Sequence, residues 1–455
     1  MKKDDFLYLN LILLHVGIGF VIFLVPFLAK IYGYFIFIFG AFYIIKKQNK
    51  NNEALIAAAY VVGSEVFLRM TGGNPLYEIS KYGVIAYIFL GMYFSGFSKG
   101  ATPYWIFLLL LIPSVVLTTF VLNFETEMRN TIAFNISGPV CLGIASIYTF
   151  RRKIPLDQMN NILLSMGLPI ISCMVYLSFF APNIRELITG TGSNSQTSGG
   201  FGPNQVATIL GMGMFIFFSR IILESRTKFM IAMNLIIALN ITYRGVLTFS
   251  RGGMITGLLM IVLLLFFLYS KSNFKGRVKL NYIFGLVCFA LMITWAYTSF
   301  QTGGLIDKRY ANQDALGRAK ASKFTGREDI AKQEIDIFLK NPIFGVGVGK
   351  GVEERSMMTG EDALVSHDEI TRMLAEHGTL GIICLLILFF TPLVLYLENK
   401  FNMYLLCFVV FWFLTINHAA MRTAAPAFVY SLALLNVNFG FVNKKKEISN
   451  EVLKY

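Results

Sequence analysis

Long apolar runs, separated by short polar segments, repeat along nearly the whole chain. Fourteen of them stand out, near residues 6–28, 31–45, 54–70, 82–97, 103–122, 132–150, 161–181, 204–223, 229–243, 253–270, 280–298, 379–397, 402–418 and 424–441. About 20 predominantly apolar residues in helix cross the roughly 30 Å hydrocarbon core of a bilayer. The pattern therefore predicts an all-α polytopic membrane protein of about 12–14 transmembrane helices, the lower figure applying if the short second and ninth runs do not span.

Two polar stretches are longer than connectors. Residues 182–203 are rich in Gly, Ser, Thr and Asn, and residues 299–378 make a loop of about 80 residues. They divide the chain into a helical block (1–298), a large external loop (299–378) and a C-terminal helical block with a tail (379–455). The large loop carries 11 Lys/Arg against 13 Asp/Glu, so it is not a polybasic tail. Thr325 and Glu328 have capping-box spacing, Ile330, Glu334, Ile337 and Phe338 follow at helical spacing, and Asn341-Pro342 ends the run. The loop is thus expected to be partly helical.

Composition agrees with this pattern. Hydrophobic residues are 55% of the 455, charged residues 15%, and the mean hydropathy is +0.62, whereas soluble domains are about a quarter charged. The net charge of +14 does not point to nucleic acid, because the cations fall in short clusters on alternate loops: Lys2-Lys3, Lys46-Lys47 with Lys50, Arg151-Arg152-Lys153, Arg226 with Lys228, Lys271 to Lys279, and Lys444-Lys445-Lys446. Short Lys/Arg-rich loops stay cytoplasmic. Both termini are then expected inside and residues 182–203 and 299–378 outside. The first apolar run is too long for a signal-peptide core, and all five cysteines lie in or beside apolar runs, where packing is their default role.

Candidate chemistry gathers on the external side. His367 precedes Ile370, Leu374 and His377, which share a helical face leading into the span at 379. That spacing predicts His367 about two turns above the membrane, on a helix rigidly continuous with a spanning one. Its ordinary pKa of about 6.5 suits it to take a proton from a hydroxyl. Arg244 and Arg251 flank an external turn, and the glycines after Arg251 allow close backbone approach, an arrangement suited to a diphosphate. Arg327 opens the loop helix, whose N–H groups favour anions. Arg185 begins the smaller loop. Arg69 and Glu65, four apart, are expected to pair with each other. The glycine-rich run from Phe344 to Gly351 lacks nucleotide-binding spacing, no Asp-x-Asp pair stands in the external loops to hold a metal, and Ser366 beside His367 is not a triad. No metal or other cofactor is expected.

Taken together, several elements resemble the O-antigen ligase and polymerase superfamily over roughly residues 180–400. They are Thr197 to Gln205, Ser250-Arg251-Gly252-Gly253, Gly326-Arg327, Asn341-Pro342-Ile343-Phe344-Gly345-Val346-Gly347, and His367 followed by Ile370, Leu374, Glu376, Gly378 and Gly381. The resemblance implies a glycosyltransferase-C-like helical fold in the bacterial inner membrane, its active site facing the periplasm. It implies a glycan donor on undecaprenyl diphosphate and an acceptor hydroxyl on lipid A core, with glycan polymerisation or protein O-glycosylation as alternatives. Carried over by motif, His367, Arg251 and Arg327 are the catalytic set. Arg244, Arg185, Arg372, Glu376 and Asn204 are substrate-binding candidates. A lipid-linked glycan flippase is the rival from another class, but it would place its charges near the midplane and show related halves. Here the charges concentrate at one face.

Overall fold

The computed structural model describes residues 3–123, 126–225, 227–320, 327–360 and 362–438. The expected capping pair at Thr325, together with Gly326, Lys2, Arg226, the cluster at Lys444 and the last residues of the final apolar run, lies outside the described residues. The fold is all-α. In chain order the helices are α1 (Lys3–Leu24), α2 (Leu28–Lys47), α3 (Glu53–Met70), α4 (Ile79–Ser95), α5 (Thr102–Val121), α6 (Met128–Thr149), α7 (Leu156–Phe180), α8 (Ile184–Leu187), α9 (Pro203–Leu223), α10 (Lys228–Val246), α11 (Arg251–Lys271), α12 (Phe274–Gln301), α13 (Leu305–Tyr310), α14 (Arg327–Lys340), α15 (Lys350–Thr359), α16 (Glu369–Glu398), α17 (Leu405–Ile416) and α18 (Ala424–Ala433).

Each of the fourteen apolar runs falls on a helix, and among the described residues ten helices are long and apolar enough to cross a membrane. The second and ninth runs are not the short ones: α2 has 20 residues and α10 has 19. The short ones are α17 and α18, with 12 and 10 residues. The last apolar run is also not helical to its end. Asn436–Asn438 (β2) leaves the helix and pairs in parallel with Lys153–Pro155 (β1), because Asn-Val-Asn alternates polar and apolar and its one buried side chain, Val437, turns inward.

Helix direction alternates, so the basic loops collect at one end of the bundle. There Arg151 pairs with Glu398, Arg152 Nη2 donates to the Gly96 carbonyl at 2.6 Å, and the Tyr404 hydroxyl donates to Asn160 Oδ1 at 3.0 Å. The loops holding Arg185, Arg309, Arg327 and His367 collect at the other end. A cysteine at Gln313, on that second end, should react with an impermeant maleimide from outside intact spheroplasts if the basic loops are cytoplasmic. Labelling only after permeabilisation would reverse the orientation.

Close helix packing positions the site. A Cβ on Gly211 of α9 would lie 2.2 Å from the Gly253 carbonyl of α11, and one on Gly257 would lie 2.4 Å from the Gly211 carbonyl. These small residues let the two backbones touch, the usual route to tight packing where lipid offers no hydrophobic drive.

Helix α16 is not a rigid rod. Gly378 has φ 60°, ψ −140° and divides a short outer helix from the spanning one. The turn after α14 is seated in this break. Val346 N donates to the Ala375 carbonyl (3.0 Å), Gly347 N to the Glu376 carbonyl (3.1 Å), and Thr379 N to the Pro342 carbonyl (2.7 Å). The Ser114 hydroxyl donates a further bond to the Glu376 carbonyl at 2.6 Å. Backbone groups freed by the break are thereby satisfied, as burial at membrane depth requires. A Cβ at Gly378 would sit 2.6 Å from Gly345 N, and one at Gly345 would sit 2.4 Å from the Glu376 carbonyl carbon. The Asn341–Gly347 run is therefore a backbone plug for a broken helix, and the continuous helix expected through Gly378 is not formed.

Candidate active site

The residues of Ser250-Arg251-Gly252-Gly253 each have a distinct task at the start of α11. The Ser250 hydroxyl donates to Asn204 Oδ1 at 2.7 Å, tying α11 to the first turn of α9. Gly252 leaves room for the His418 ring, since a Cβ there would lie 2.7 Å from its Cγ. Gly253 meets the α9 backbone at Ala207–Thr208 with 2.3 Å to an added Cβ. Arg251 lines a cavity of about 520 Å³ whose walls include Asn204, Arg309, Tyr310, Arg327, Asn417 and His418.

That cavity brings together Arg251, Arg327 and Asn204. It also holds two residues that sequence reasoning passed over. Arg309 is buried; its Nε donates to the Phe249 carbonyl at 2.9 Å and its Nη2 to the Ser193 hydroxyl at 3.3 Å. The first bond braces Phe249, which holds a left-handed φ of 56°. His418 Nε2 meets the Thr208 hydroxyl at 3.1 Å and Nδ1 the Leu414 carbonyl at 2.8 Å. Three guanidinium groups thus line one cavity, and none of its described lining residues is a carboxylate. Burial first, then Arg251 beside them, lowers the proton affinity of both Arg309 and Arg327. Such mutual repulsion is relieved when an anion enters.

His367 stands beside this cavity, just before the α16 cap, where Asp368 accepts from Ile370 N at 2.8 Å. Its carbonyl accepts from Ala420 N at 3.1 Å, and the preceding carbonyl, of Ser366, accepts from Arg422. Burial, then Arg422, Arg327 and His418, push the imidazole pKa down to about 4. The ring is therefore neutral at pH 7 and has a lone pair to accept a proton. The backbone carrying His418 and Arg422 is fixed from beneath: Glu65 accepts from Ala424 N at 2.7 Å and Glu369 from Met421 N at 3.4 Å. The expected Arg69–Glu65 pair is present at 2.7 Å.

The other candidate residues lie apart from the arginine cavity. Arg244 Nη1 donates to the Ala181 carbonyl at 3.1 Å and its Nε to the Ser178 hydroxyl at 3.2 Å, fastening the end of α7. Arg185 lies over the Phe300 ring at 4.8 Å, in a separate surface hollow. Arg372 is buried between Glu369 and Glu376, the latter at 3.0 Å, and donates to Asn135 of α6. Glu376 also accepts from Gly349 N at 2.9 Å. Both residues use their bonding groups to dock the outer part of α16 onto α6 and the plug turn.

Residues 235–386 match the family model described as O-antigen ligase. That stretch contains Arg251, Arg309, Arg327, His367 and the whole of the broken-helix plug, and it ends before His418 and Arg422. No curated protein matches the chain significantly. The match spans 152 of the 455 residues, about a third of the chain, and supports the resemblance to the O-antigen ligase superfamily and, in general terms, glycan transfer of the ligase or polymerase type.

Proposed function

We propose that this protein transfers a glycan from undecaprenyl diphosphate to an acceptor hydroxyl at the periplasmic face of the inner membrane, and that the acceptor is lipid A core. The observation that carries this reading is the cavity with three arginines and no described carboxylate, set beside a neutral histidine. Guanidinium forks match phosphate oxygens in pairs and stay charged at any physiological pH. In the reaction the acceptor oxygen bonds to the anomeric carbon, and the bond from that carbon to the diphosphate oxygen breaks. Its electron pair leaves on undecaprenyl diphosphate, where Arg251, Arg309 and Arg327 stabilise the added charge. The hydroxyl proton passes to the His367 imidazole and from there to solvent.

Deleting the gene and resolving surface glycans on a gel tests the acceptor. Bare core with accumulated long lipid-linked glycan is the expected result. Core carrying a single repeat would instead make the protein a polymerase.

A further inference from the structure

A second and larger cavity, about 940 Å³, opens on the same end of the molecule between the starts of α4 and α6 and helix α15. Its character is opposite to that of the arginine cavity. Tyr77, Tyr82 and Phe134 supply aromatic surface, and Glu78, Asn130 and Glu353 supply polar groups. Tyr77 and Phe134 lie with ring centroids 6.1 Å apart at 40°, and Tyr77 is 52% and Tyr82 39% exposed. Glu78 is only 6% exposed. Its Oε2 is held by Lys81 at 2.6 Å and Ser137 at 3.2 Å, while its buried Oε1 has no hydrogen-bond partner among the described residues. A buried acceptor without a partner costs stability, and a ligand hydroxyl would remove that cost.

The two cavities share a wall. Val365 lines the second cavity, and two residues along is His367, beside Arg327 and His418 of the first. Arg422 bonds the Ser366 carbonyl and lies over the Phe134 ring at 4.8 Å. Segment 365–367 with Arg422 is thus the partition, and His367 is on it.

We propose that the second cavity binds a sugar ring of the acceptor, stacking its C–H face on Phe134 and Tyr77 and donating a hydroxyl to Glu78 Oε1, so that another hydroxyl reaches His367 across the partition. Aromatic faces with a few placed polar groups suit a polyhydroxylated ring. The lining has one arginine, Arg129, against three in the first cavity. Its carboxylates Glu78 and Glu353 are already paired with Lys81 and Lys350, so the diphosphate is better matched by the first cavity. The assignment rests on the transfer reading above for the word acceptor, but not for the presence of a sugar site.

Hydroxyl-radical footprinting of the full-length protein in nanodiscs tests it with two probes, undecaprenyl diphosphate and core lipopolysaccharide extracted from cells lacking the gene. The lipopolysaccharide should protect Tyr77 and Tyr82, and undecaprenyl diphosphate should protect Tyr310 instead. Phe134→Leu should raise the half-saturating acceptor concentration at least tenfold while leaving undecaprenyl diphosphate affinity within twofold, and Phe134→Tyr should restore it. Glu78→Gln should act in the same direction. Transfer by the wild type without protection at Tyr77 and Tyr82, or unchanged acceptor saturation in Phe134→Leu, would overturn the proposal. Protection of Tyr77 by the lipopolysaccharide with no undecaprenyl diphosphate binding would sink the donor assignment and leave this cavity standing as a sugar site.

Discussion

Replacing His367 with alanine should lower glycan transfer by roughly 10²-fold or more, the usual scale for loss of a general base. Protein abundance should stay near normal, because the ring is only part-buried and its backbone carbonyl, which binds Ala420 N, is retained. The pH profile gives an independent check. Burial and the cations around His367 hold its pKa near 4, against about 6.5 in the unfolded chain. The folded protein keeps the basic form as pH falls through 6.5, so kcat/KM should stay flat from pH 7.5 to about 5.5. The unfolded chain takes up the proton first, so the stability linked to this group is present above pH 6.5 and is lost as pH falls toward 4. Arg422→Gln removes one of the cations and should shift the acid limb upward. Transfer at the wild-type rate in well-expressed His367→Ala protein would refute the proton-accepting role.

Arg251→Lys, Arg309→Lys and Arg327→Lys should each weaken transfer by about 1.5–3 kcal/mol, the scale of a hydrogen bond to a charged group. Lysine keeps the charge and loses the planar fork, so the series separates geometry from electrostatics. Arg309→Lys should also lower the melting temperature, since it gives up the bond to the Phe249 carbonyl that braces the left-handed turn before Ser250. Because Arg251 and Arg327 line one cavity, their double variant should lose less than the sum of the singles. The same cavity repels a divalent cation and presents it no described carboxylate. Activity of purified protein on lipid-linked donor should therefore survive EDTA. Abolition by EDTA with rescue by magnesium would transfer the leaving-group role from the arginines to a metal.

Periodicity and charge made the fourteen helices legible, because bilayer thickness imposes a length on most apolar runs, α17 and α18 being shorter. Arg251 and Arg327 stood out in the sequence because a guanidinium beside glycines at the edge of an apolar run, or at the first position of a helix, suits an anion. Arg309 did not, since Asp307-Lys308-Arg309 reads as an ordinary solvated run, and only the fold brings it back to Phe249. His418 and Arg422 sit in what reads as the end of one span and the gap before the next, although a charge at that depth is itself a functional signal. The break at Gly378 was hidden for a different reason. One glycine in a helical pattern is usually tolerated, and its true partner is a turn more than thirty residues earlier. Arg372 and Glu376 show the converse, since motif residues at a site can hold the scaffold instead of the substrate.

The 12 residues of α17 rise only about 18 Å, yet they carry the chain from the basic end to His418, against roughly 30 Å of hydrocarbon. With the basic end at the inner surface of the bilayer, the floor of the arginine cavity would lie below the outer surface, at a depth where lipid tails otherwise lie. On the transfer proposed above, a polyprenyl carrier would deliver its diphosphate there by sliding sideways and slightly inward, without lifting its tail into water. Water would follow the same path down to the floor, and the protein would then carry a local dent in the dielectric barrier. Thickening the surrounding bilayer should then slow the reaction through access to the floor, with no change in the groups that perform it.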